Sequence, residues 1–210
     1  MRRLHLSTAL LAFVPLLGCG ATGAPAAEAL LVPGSLDGWH AAPGGSWEWR
    51  DDVLVGTSSE SERRHGLLIS DRTYSDFEAH LEFRAVRGCS GFYFRVEEVE
   101  QAVGVLGFQA EVEPNLETGG LYETGGRAWV VKPDPDEMRD VYFPGEWTTM
   151  TVRAVGGDVD VHVNGHPSAS LRDDPGRREG HLALQLHGGQ DLHVEFRRLE
   201  VRELAPDSVR

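Results

Sequence analysis

Apolar and polar residues alternate with a period of two over most of this 210-residue chain. That period places the apolar side chains of a β-strand on one face and the polar side chains on the other. Phe77–Phe83 and Leu182–Leu186 are clear examples, and turn residues such as Asn164-Gly165 separate segments of this kind. Many short strands with one apolar face predict an all-β fold, a sandwich of two antiparallel sheets. Residues expected in the core between the sheets include Phe92, Phe94, Leu184, Leu186, Val194 and Phe196.

The first eighteen residues have the composition of a bacterial export signal. Arg2 and Arg3 supply a positive start, and the apolar run Ala9–Leu17 is too short to span a bilayer as a stable helix. The Leu-Leu-Gly-Cys that follows matches a lipobox, which predicts that Cys19 becomes the lipidated first residue of a mature lipoprotein. An ordinary signal peptide, cleaved within residues 21–27, is the alternative.

The rest of the chain is interpreted as one domain. We assign residues 1–18 to the signal peptide, 19–28 to a flexible tether, 29–204 to the β-sandwich and 205–210 to a polar tail. Gly20 differs from the aspartate that retains lipoproteins in the inner membrane. We therefore expect an exported cell-envelope lipoprotein of the outer membrane that faces the periplasm or the cell exterior.

Charge and cysteine content restrict the partners. The formal net charge is −13 and no basic run stands out, so nucleic acid is not an expected partner. An acidic chain is not drawn to anionic lipids by charge, so the predicted membrane contact is the lipid on Cys19. If Cys19 is acylated, Cys89 is the thiol that remains. We interpret Cys89 as a small buried apolar residue rather than a nucleophile.

Polar residues two positions apart recur on three predicted strands, opposite apolar faces. These pairs are Tyr93 and Arg95, Gln109 and Glu111, and Gln185 and His187. Two Gly-Gly pairs flank Tyr122 and Glu123 shortly before Arg127. If the three strands share a sheet, these groups form a polar patch on its outer, concave face. The pattern does not fix the strand order, and a solvated sheet face followed by a glycine-rich loop is the alternative.

Nine short motifs follow one another in the order typical of one protein family. They are Trp47–Gly56, Tyr74–Glu78, Ser90–Arg95, Gly107–Glu111, Thr118–Tyr122, Gly145–Trp147, Asn164–Gly165, Leu184–Gly189 and Val194–Arg197. With these motifs the chain resembles the 3-keto-disaccharide hydrolase family over nearly the whole mature sequence. The resemblance implies a concanavalin-A-like jelly roll and cleavage of glycosides whose sugar carries a ketone at C3.

The implied chemistry assigns roles to the polar residues. A C3 ketone acidifies the C2 proton, so a base can remove it, an acid can protonate the leaving oxygen and donors can stabilise the enolate. We expect Glu111 and His187 to be the catalytic pair, and the sequence leaves open which of them is the base. The substrate-binding residues expected from the resemblance are Arg95, Gln109, Tyr122, Arg127 and Gln185.

Other interpretations concern the surrounding residues and the class of protein. Glu113 and Glu117 are interpreted as solvated loop acids, and Trp47 and Trp147 as packing residues. No cofactor is predicted, and a divalent metal stays an open alternative although the chain has neither HxH nor HExxH spacing. Besides a carbohydrate-cleaving enzyme, the sequence fits a non-catalytic lectin-like module or a structural envelope lipoprotein.

Overall fold

The computed structural model describes residues 25–100 and 103–205. The predicted signal peptide of residues 1–18 and the predicted lipidation site Cys19 lie outside the described residues. In the part of the chain that is described, no helix has both the length and the apolar character needed to cross a membrane.

Strands dominate the described residues, which contain fifteen β-strands and one short helix. In chain order the elements are β1 (Glu28–Ala29), β2 (Trp39–Ala42), β3 (Ser46–Arg50), β4 (Val53–Ser58), β5 (Gly66–Tyr74), β6 (Phe77–Arg87), β7 (Ser90–Glu98), β8 (Val105–Val112), β9 (Leu121–Thr124), β10 (Ala128–Val131), α1 (Pro135–Met138), β11 (Thr148–Val155), β12 (Asp158–Val163), β13 (His166–Leu171), β14 (Gly180–Leu186) and β15 (Leu192–Glu203).

The described strands form two antiparallel sheets. The eight-stranded sheet has the order β13-β12-β11-β6-β15-β4-β3, with β1 also paired to β15. The seven-stranded sheet has the order β10-β9-β8-β7-β14-β5-β2. The two sheets pack as a sandwich, so the predicted fold class is confirmed. Strands β14, β7, β8, β9 and β10 therefore lie side by side, an order that the sequence pattern did not supply.

The alternating apolar residues of both sheets form the core, as the period-two pattern predicted. All six core residues named from the sequence are at most 1% exposed, namely Phe92, Phe94, Leu184, Leu186, Val194 and Phe196. The ring of Phe94 contacts those of Phe77 and Phe108, at centroid distances of 5.9 and 5.6 Å. Burial of these rings removes a large apolar area from water and stabilises the sandwich.

Short turns fix the register of two hairpins that the sequence predicted. Asp51 and Asp52 connect β3 to β4, and Asp51 has a φ of 54°. Asn164 and Gly165 connect β12 to β13, with φ values of 49° and 80°. Two successive residues with positive φ form the type I′ turn, whose twist matches that of the paired strands.

Strand β7 contains a β-bulge that the sequence pattern did not reveal. Its pairing with β8 shifts between Phe94 and Glu97, and Arg95 within this stretch has a φ of 54°. Glycines on both neighbouring strands make room for it. A Cβ on Gly180 would lie 2.3 Å from the carbonyl carbon of Arg95, and a Cβ on Gly107 would lie 3.1 Å from the Cα atom of the next residue, Val96. The bulge changes the face on which the Arg95 side chain lies.

Candidate active site

A cleft of about 410 Å³ opens on the outer face of the seven-stranded sheet. Its floor comes from residues of β7, β8 and β14 that alternate with core residues, so their side chains lie opposite the core. Five residues predicted from the sequence line this cleft, namely Gln109, Glu111, Tyr122, Gln185 and His187. The predicted polar patch therefore takes the form of a cleft that could hold a small polar ligand.

Buried amides join the floor of the cleft into one hydrogen-bonded network. Gln109 Nε2 donates to Glu111 Oε2 at 2.7 Å and to Gln185 Oε1 at 3.4 Å. Gln185 Nε2 donates to the hydroxyl of Tyr93 at 3.2 Å, and that hydroxyl shares a hydrogen bond of 2.8 Å with Thr124 Oγ1. All five residues are at most 8% exposed, so the network holds their side chains in fixed positions.

Gly91 on β7 makes this network sterically feasible. It pairs with Glu111 across the β7–β8 ladder, and a Cβ at this position would lie 2.4 Å from Gln109 Nε2. The absent side chain lets the Gln109 amide lie across β7 toward Gln185 on β14. Any larger residue at position 91 would displace the amide that bonds Glu111.

The Glu111 carboxyl group is the most perturbed acid of the cleft. It is 5% exposed, and burial raises its pKa to about 8, with further contributions from the negative charges of Glu113 and Glu117. The hydrogen bond from Gln109 opposes this shift in pKa but does not cancel it. Glu111 is therefore mostly protonated at neutral pH, and it can release or take up a proton close to that pH.

Two imidazole rings contact each other at one side of the cleft, and strands β9 and β10 lie at the other side. His65, in the loop before β5, contacts His187 edge to face, with ring centroids 4.3 Å apart. Burial, and secondarily repulsion from the His187 ring when that ring is protonated, lower the pKa of His65 to about 4, so His65 is neutral at neutral pH. His65 could not be identified from the sequence, because it lies in an irregular polar segment without strand periodicity.

The partners of the two rings indicate their tautomers. Gln185 Nε2 lies 3.4 Å from His65 Nδ1, and an amide donor there leaves the proton of neutral His65 on Nε2. His187 Nδ1 lies 2.8 Å from the carbonyl oxygen of Gly188, which can only accept, so this nitrogen carries a proton. The contact of His187 Nδ1 with Gln190 Nε2 is longer, at 3.2 Å. In neutral His187, Nε2 is then free to accept a proton.

Cys89 lines the cleft beside these rings. Its backbone carbonyl accepts a hydrogen bond of 3.2 Å from the His187 amide. The side chain is half-buried, and burial raises the pKa of its thiol to about 11. A thiol with that pKa stays protonated at neutral pH, which disfavours a role as nucleophile.

The position predicted for Arg95 is wrong, because the bulge in β7 directs its side chain away from the cleft. The residue is 1% exposed, and its Nη1 donates to the carbonyl oxygens of Gly156 and Arg177, each at 2.9 Å. Its Nη2 donates to the carbonyl oxygen of Ser75 at 3.1 Å and lies 3.6 Å from Asp76 Oδ1. Arg95 thus ties three loops together and does not line the cleft with Glu111.

Arg127 also lies outside the set of residues that line the cleft. Its guanidinium group binds Glu123 Oε2 at 2.5 Å and Asp174 Oδ2 at 2.6 Å, and the side chain is 46% exposed. The sequence grouped Arg127 with Tyr122 because both follow the same glycine-rich segment. The structure separates them, and among the described residues that line the cleft there is no lysine or arginine.

Glu113 was interpreted as a solvated loop acid, and that interpretation is wrong. It is 9% exposed, lines the cleft, and its Oε2 accepts a hydrogen bond of 2.5 Å from Asn115 Nδ2. Glu117 also lines the cleft, but its carboxyl is more open and pairs with Lys132 Nζ at 2.5 Å. A turn held by Thr118, whose Oγ1 accepts from the Glu113 amide at 2.9 Å, brings these acids back toward the sheet.

Trp129 is a second cleft residue that the sequence pattern did not indicate. Its position in the sequence could have indicated a site residue, since Trp129 follows the glycine-rich segment around Tyr122. Trp47 and Trp147, which the sequence predicts to be packing residues, lie outside the cleft lining. Trp47 packs beside the core at 6.2 Å from the ring of Phe196, and Trp147 lies between the guanidinium groups of Arg84 and Arg197.

Within residues 25–100 and 103–205, no group of three or more His, Cys, Asp and Glu side chains is arranged to hold a metal ion. The arrangement of the cleft is instead that of a buried acid, two imidazoles and neutral hydrogen-bonding groups. Such a set can move protons to and from a bound ligand.

Comparisons with known proteins place the chain among carbohydrate-related folds. A family model described as a 3-keto-alpha-glucoside-1,2-lyase-like domain matches residues 28–202. No curated protein matches the chain. The match agrees with the family suspected from the nine motifs.

Solved structures share the architecture at low sequence identity. A candidate glycosyl hydrolase from Parabacteroides distasonis ATCC 8503 is 19% identical with a TM-score of 0.62, and the match covers 86% of this chain and 100% of that chain. A Bacillus subtilis protein with a galectin-like fold is 13% identical with a TM-score of 0.62, covering 86% and 97%. Carbohydrate-binding module CBM66 from Bacillus subtilis is 16% identical with a TM-score of 0.59, covering 79% and 96%. These likenesses establish the jelly-roll fold.

Proposed function

Because the chain belongs to the 3-keto-alpha-glucoside-1,2-lyase-like domain family, we propose that it is an exported enzyme that cleaves glycosides with a ketone at C3. The observation that carries this proposal is the buried Glu111 carboxyl, with a pKa of about 8, in one cleft with the imidazole pair. General acid catalysis is most efficient when the acid titrates near the working pH, and sugar binding alone does not call for such a group.

The proposed reaction begins with removal of the proton at C2. His187 Nε2 takes this proton, and the electrons of the C2–H bond form an enolate that extends to the C3 oxygen. The enolate then collapses to a C1–C2 double bond as the C1–O bond breaks. Glu111 gives its proton to the departing oxygen. Water adds back across the double bond, with oxygen at C1 and a proton at C2, so that the net change is hydrolysis.

The protonation states support this division of roles. Glu111 holds a proton at neutral pH because burial raises its pKa to about 8, which suits the acid that protonates the leaving oxygen. His187 directs its Nδ1 proton to the carbonyl of Gly188, which leaves Nε2 as an acceptor. The sequence alone did not distinguish acid from base. The distinction rests on burial and on a hydrogen-bond partner.

Neutral donors then have to stabilise the enolate oxygen. The sequence suggested Arg95 and Arg127 for this purpose, and the structure places both outside the cleft lining. Gln185 was suggested as well, but its Nε2 donates to the Tyr93 hydroxyl and to the His65 ring. We therefore assign the enolate oxygen to the Nε2 proton of neutral His65 and the phenol of Tyr122. A neutral imidazole can act as an electrophile toward an enolate, provided that its pKa is low, as it is for His65.

The reaction of a 3-keto-glycoside labelled with deuterium at C2 tests this proposal. We expect the protein to release the aglycone from the keto sugar and not from its 3-hydroxy parent, because only the ketone acidifies C2. Loss of the C2 deuterium to solvent and a primary isotope effect are expected for elimination. Retention of the label with normal cleavage would instead indicate direct hydrolysis at C1.

A non-catalytic carbohydrate-binding role is the second candidate. It is supported by the likeness in fold to a carbohydrate-binding module, since the same sandwich can carry either function. Under this alternative the cleft binds sugars, and Glu111 serves only as a buried hydrogen-bonding group. Measurable sugar affinity without aglycone release from any 3-keto-glycoside would favour it over the enzyme.

A further inference from the structure

Trp129 on β10 is fixed in place by several independent features. Lys132 Nζ lies 4.3 Å from the centroid of its ring, and the ring of Tyr122 contacts it nearly at right angles, with centroids 5.7 Å apart. A Cβ on Gly120 would lie 2.7 Å from the Cζ3 atom of Trp129, so only glycine leaves this space open. The indole is thus held on several sides and also lines the cleft.

The backbone on both sides of Trp129 departs from regular strand geometry, and this affects the direction of the indole side chain. Ala128, the residue before it, has a φ of 62°, which is uncommon for a residue with a side chain. The pairing of β10 with β9 shifts between Trp129 and Val131, which marks a β-bulge. Strain and bulges of this kind redirect side chains and are frequent beside functional sites.

The strand order shows where Trp129 lies relative to the proposed acid, Glu111, and the proposed base, His187. His187 follows β14, Glu111 lies on β8 and Trp129 lies on β10, and these strands occur in that order across the sheet. Neighbouring strands are about 4.8 Å apart, so His187 and Glu111, and likewise Glu111 and Trp129, are about 10 Å apart in the direction across the sheet. The strand register also offsets them evenly along the strands, since His187 lies beside Cys89, Glu111 pairs with Gly91, and Trp129 is level with Tyr122 and Gln109. The base, the acid and the indole therefore follow one diagonal line across the cleft.

From this line we propose that Trp129 is the stacking surface for the departing half of the substrate. This inference rests on the proposed function, in which the base acts at C2 and the acid at the oxygen on C1. The vector from C2 through that oxygen then runs from β14 over β8 toward β10. An indole face fits the C–H face of a sugar ring or the face of an aromatic ring. The part of the substrate that Trp129 would hold is thus a ring-shaped aglycone.

Kinetics with three substrates test this proposal, namely methyl and phenyl 3-keto-glucosides and a 3-keto-disaccharide. Trp129→Ala is expected to lower kcat/KM for the ring-bearing substrates relative to the methyl glycoside by roughly tenfold, mainly through KM. Trp129→Phe should keep most of the preference, since it retains a ring. Phe143→Ala, at a residue that is 51% exposed and not in the cleft lining, should leave it unchanged.

The outcomes separate the subsite from the reaction. An unchanged preference in Trp129→Ala would overturn the proposal. A larger loss for the disaccharide assigns a sugar aglycone, and a larger loss for the phenyl compound assigns an aromatic one. If the wild-type protein cleaves none of the three, the proposed function fails. Calorimetry then decides the subsite, because Trp129→Ala should weaken binding of a disaccharide but not of a methyl glycoside, and equal effects would overturn it.

Discussion

At the scale of single residues, the chemistry of Glu111 follows from what surrounds its carboxyl group. The strand register places it on the floor of the cleft at 5% exposure, with one amide donor from Gln109. Its charged neighbours, Glu113 and Glu117, are both negative. A buried carboxyl without a cation retains its proton to a higher pH than a solvated one, and this makes it suitable as an acid near neutral pH.

The raised pKa predicts how stability depends on pH. The folded protein binds the Glu111 proton more tightly than the unfolded chain, since the pKa is about 8 in the fold against the ordinary 4.5. The resulting stabilisation is present below pH 4.5 and is lost as the pH rises through about 8. Wild type should therefore lose free energy of unfolding over this range relative to Glu111→Gln, with a slope of up to about 1.4 kcal/mol per pH unit.

Chemical denaturation at several pH values between 4 and 9 measures this difference. Other titrating groups are shared by the two proteins and largely cancel in the comparison. Parallel pH profiles for wild type and Glu111→Gln would show that the carboxyl titrates normally. In that case the assignment of Glu111 as the proton donor would fail.

Single residues also show what a sequence can and cannot reveal about a site. The positions of Glu111 and Gln185 in the cleft lining could be predicted because each lies on a regular strand, where alternation fixes the face. His65 was missed because it lies in an irregular segment, and only the tertiary fold brings it to 4.3 Å from His187. Trp129 was missed because its orientation depends on the positive φ at Ala128 and on a bulge, neither of which has a periodic pattern.

At the scale of elements, strand β7 shows where the predicted sheet faces are correct and where they are not. Phe92, Tyr93 and Phe94 follow the alternation, with both phenylalanines in the core and Tyr93 lining the cleft. Beyond Phe94 one extra residue enters the strand, and the Arg95 side chain binds backbone carbonyls instead of lining the cleft. Counting residues predicts the sheet face of a side chain only along an unbroken ladder. A single bulge reverses the predicted face for every residue that follows it.

The core face of β7 predicts a large effect on stability. Phe94 is fully buried between the sheets, so Phe94→Ala should lower the free energy of unfolding by roughly 3–5 kcal/mol. Phe143→Ala removes the same atoms from a residue that is 51% exposed, and we expect a change of less than about 1 kcal/mol. Equal effects in urea denaturation would contradict the packing described for β7.

At the scale of the whole molecule, the sandwich could be predicted because nearly every strand has one apolar face. The order of the strands could not, because hydrophobic periodicity does not specify which strands pair. That order is what brings β14, β7 and β8 together and so creates the cleft. The sheet face that carries the cleft could thus be predicted from the sequence, and the arrangement of its residues could not.

The placement of the protein in the cell is a separate prediction at this scale. Cys19 precedes the described residues, and the lipobox before it predicts a lipoprotein anchored in the envelope. Two or more acyl chains would make this attachment stable, whereas one chain gives only marginal binding. Mass spectrometry of the mature N-terminus should find acylated Cys19. An unmodified N-terminus further along the chain would indicate a released soluble protein.

The central claim, that the cleft carries out acid–base cleavage of 3-keto-glycosides, is tested most directly by turnover of such a substrate by wild type, Glu111→Gln and His187→Ala. Melting temperatures of all three proteins serve as the control for folding. We predict aglycone release by wild type and a decrease of about 10²–10⁴-fold in kcat for each variant, because each removes one proton-transfer group. Turnover close to that of wild type in both variants would contradict the claim.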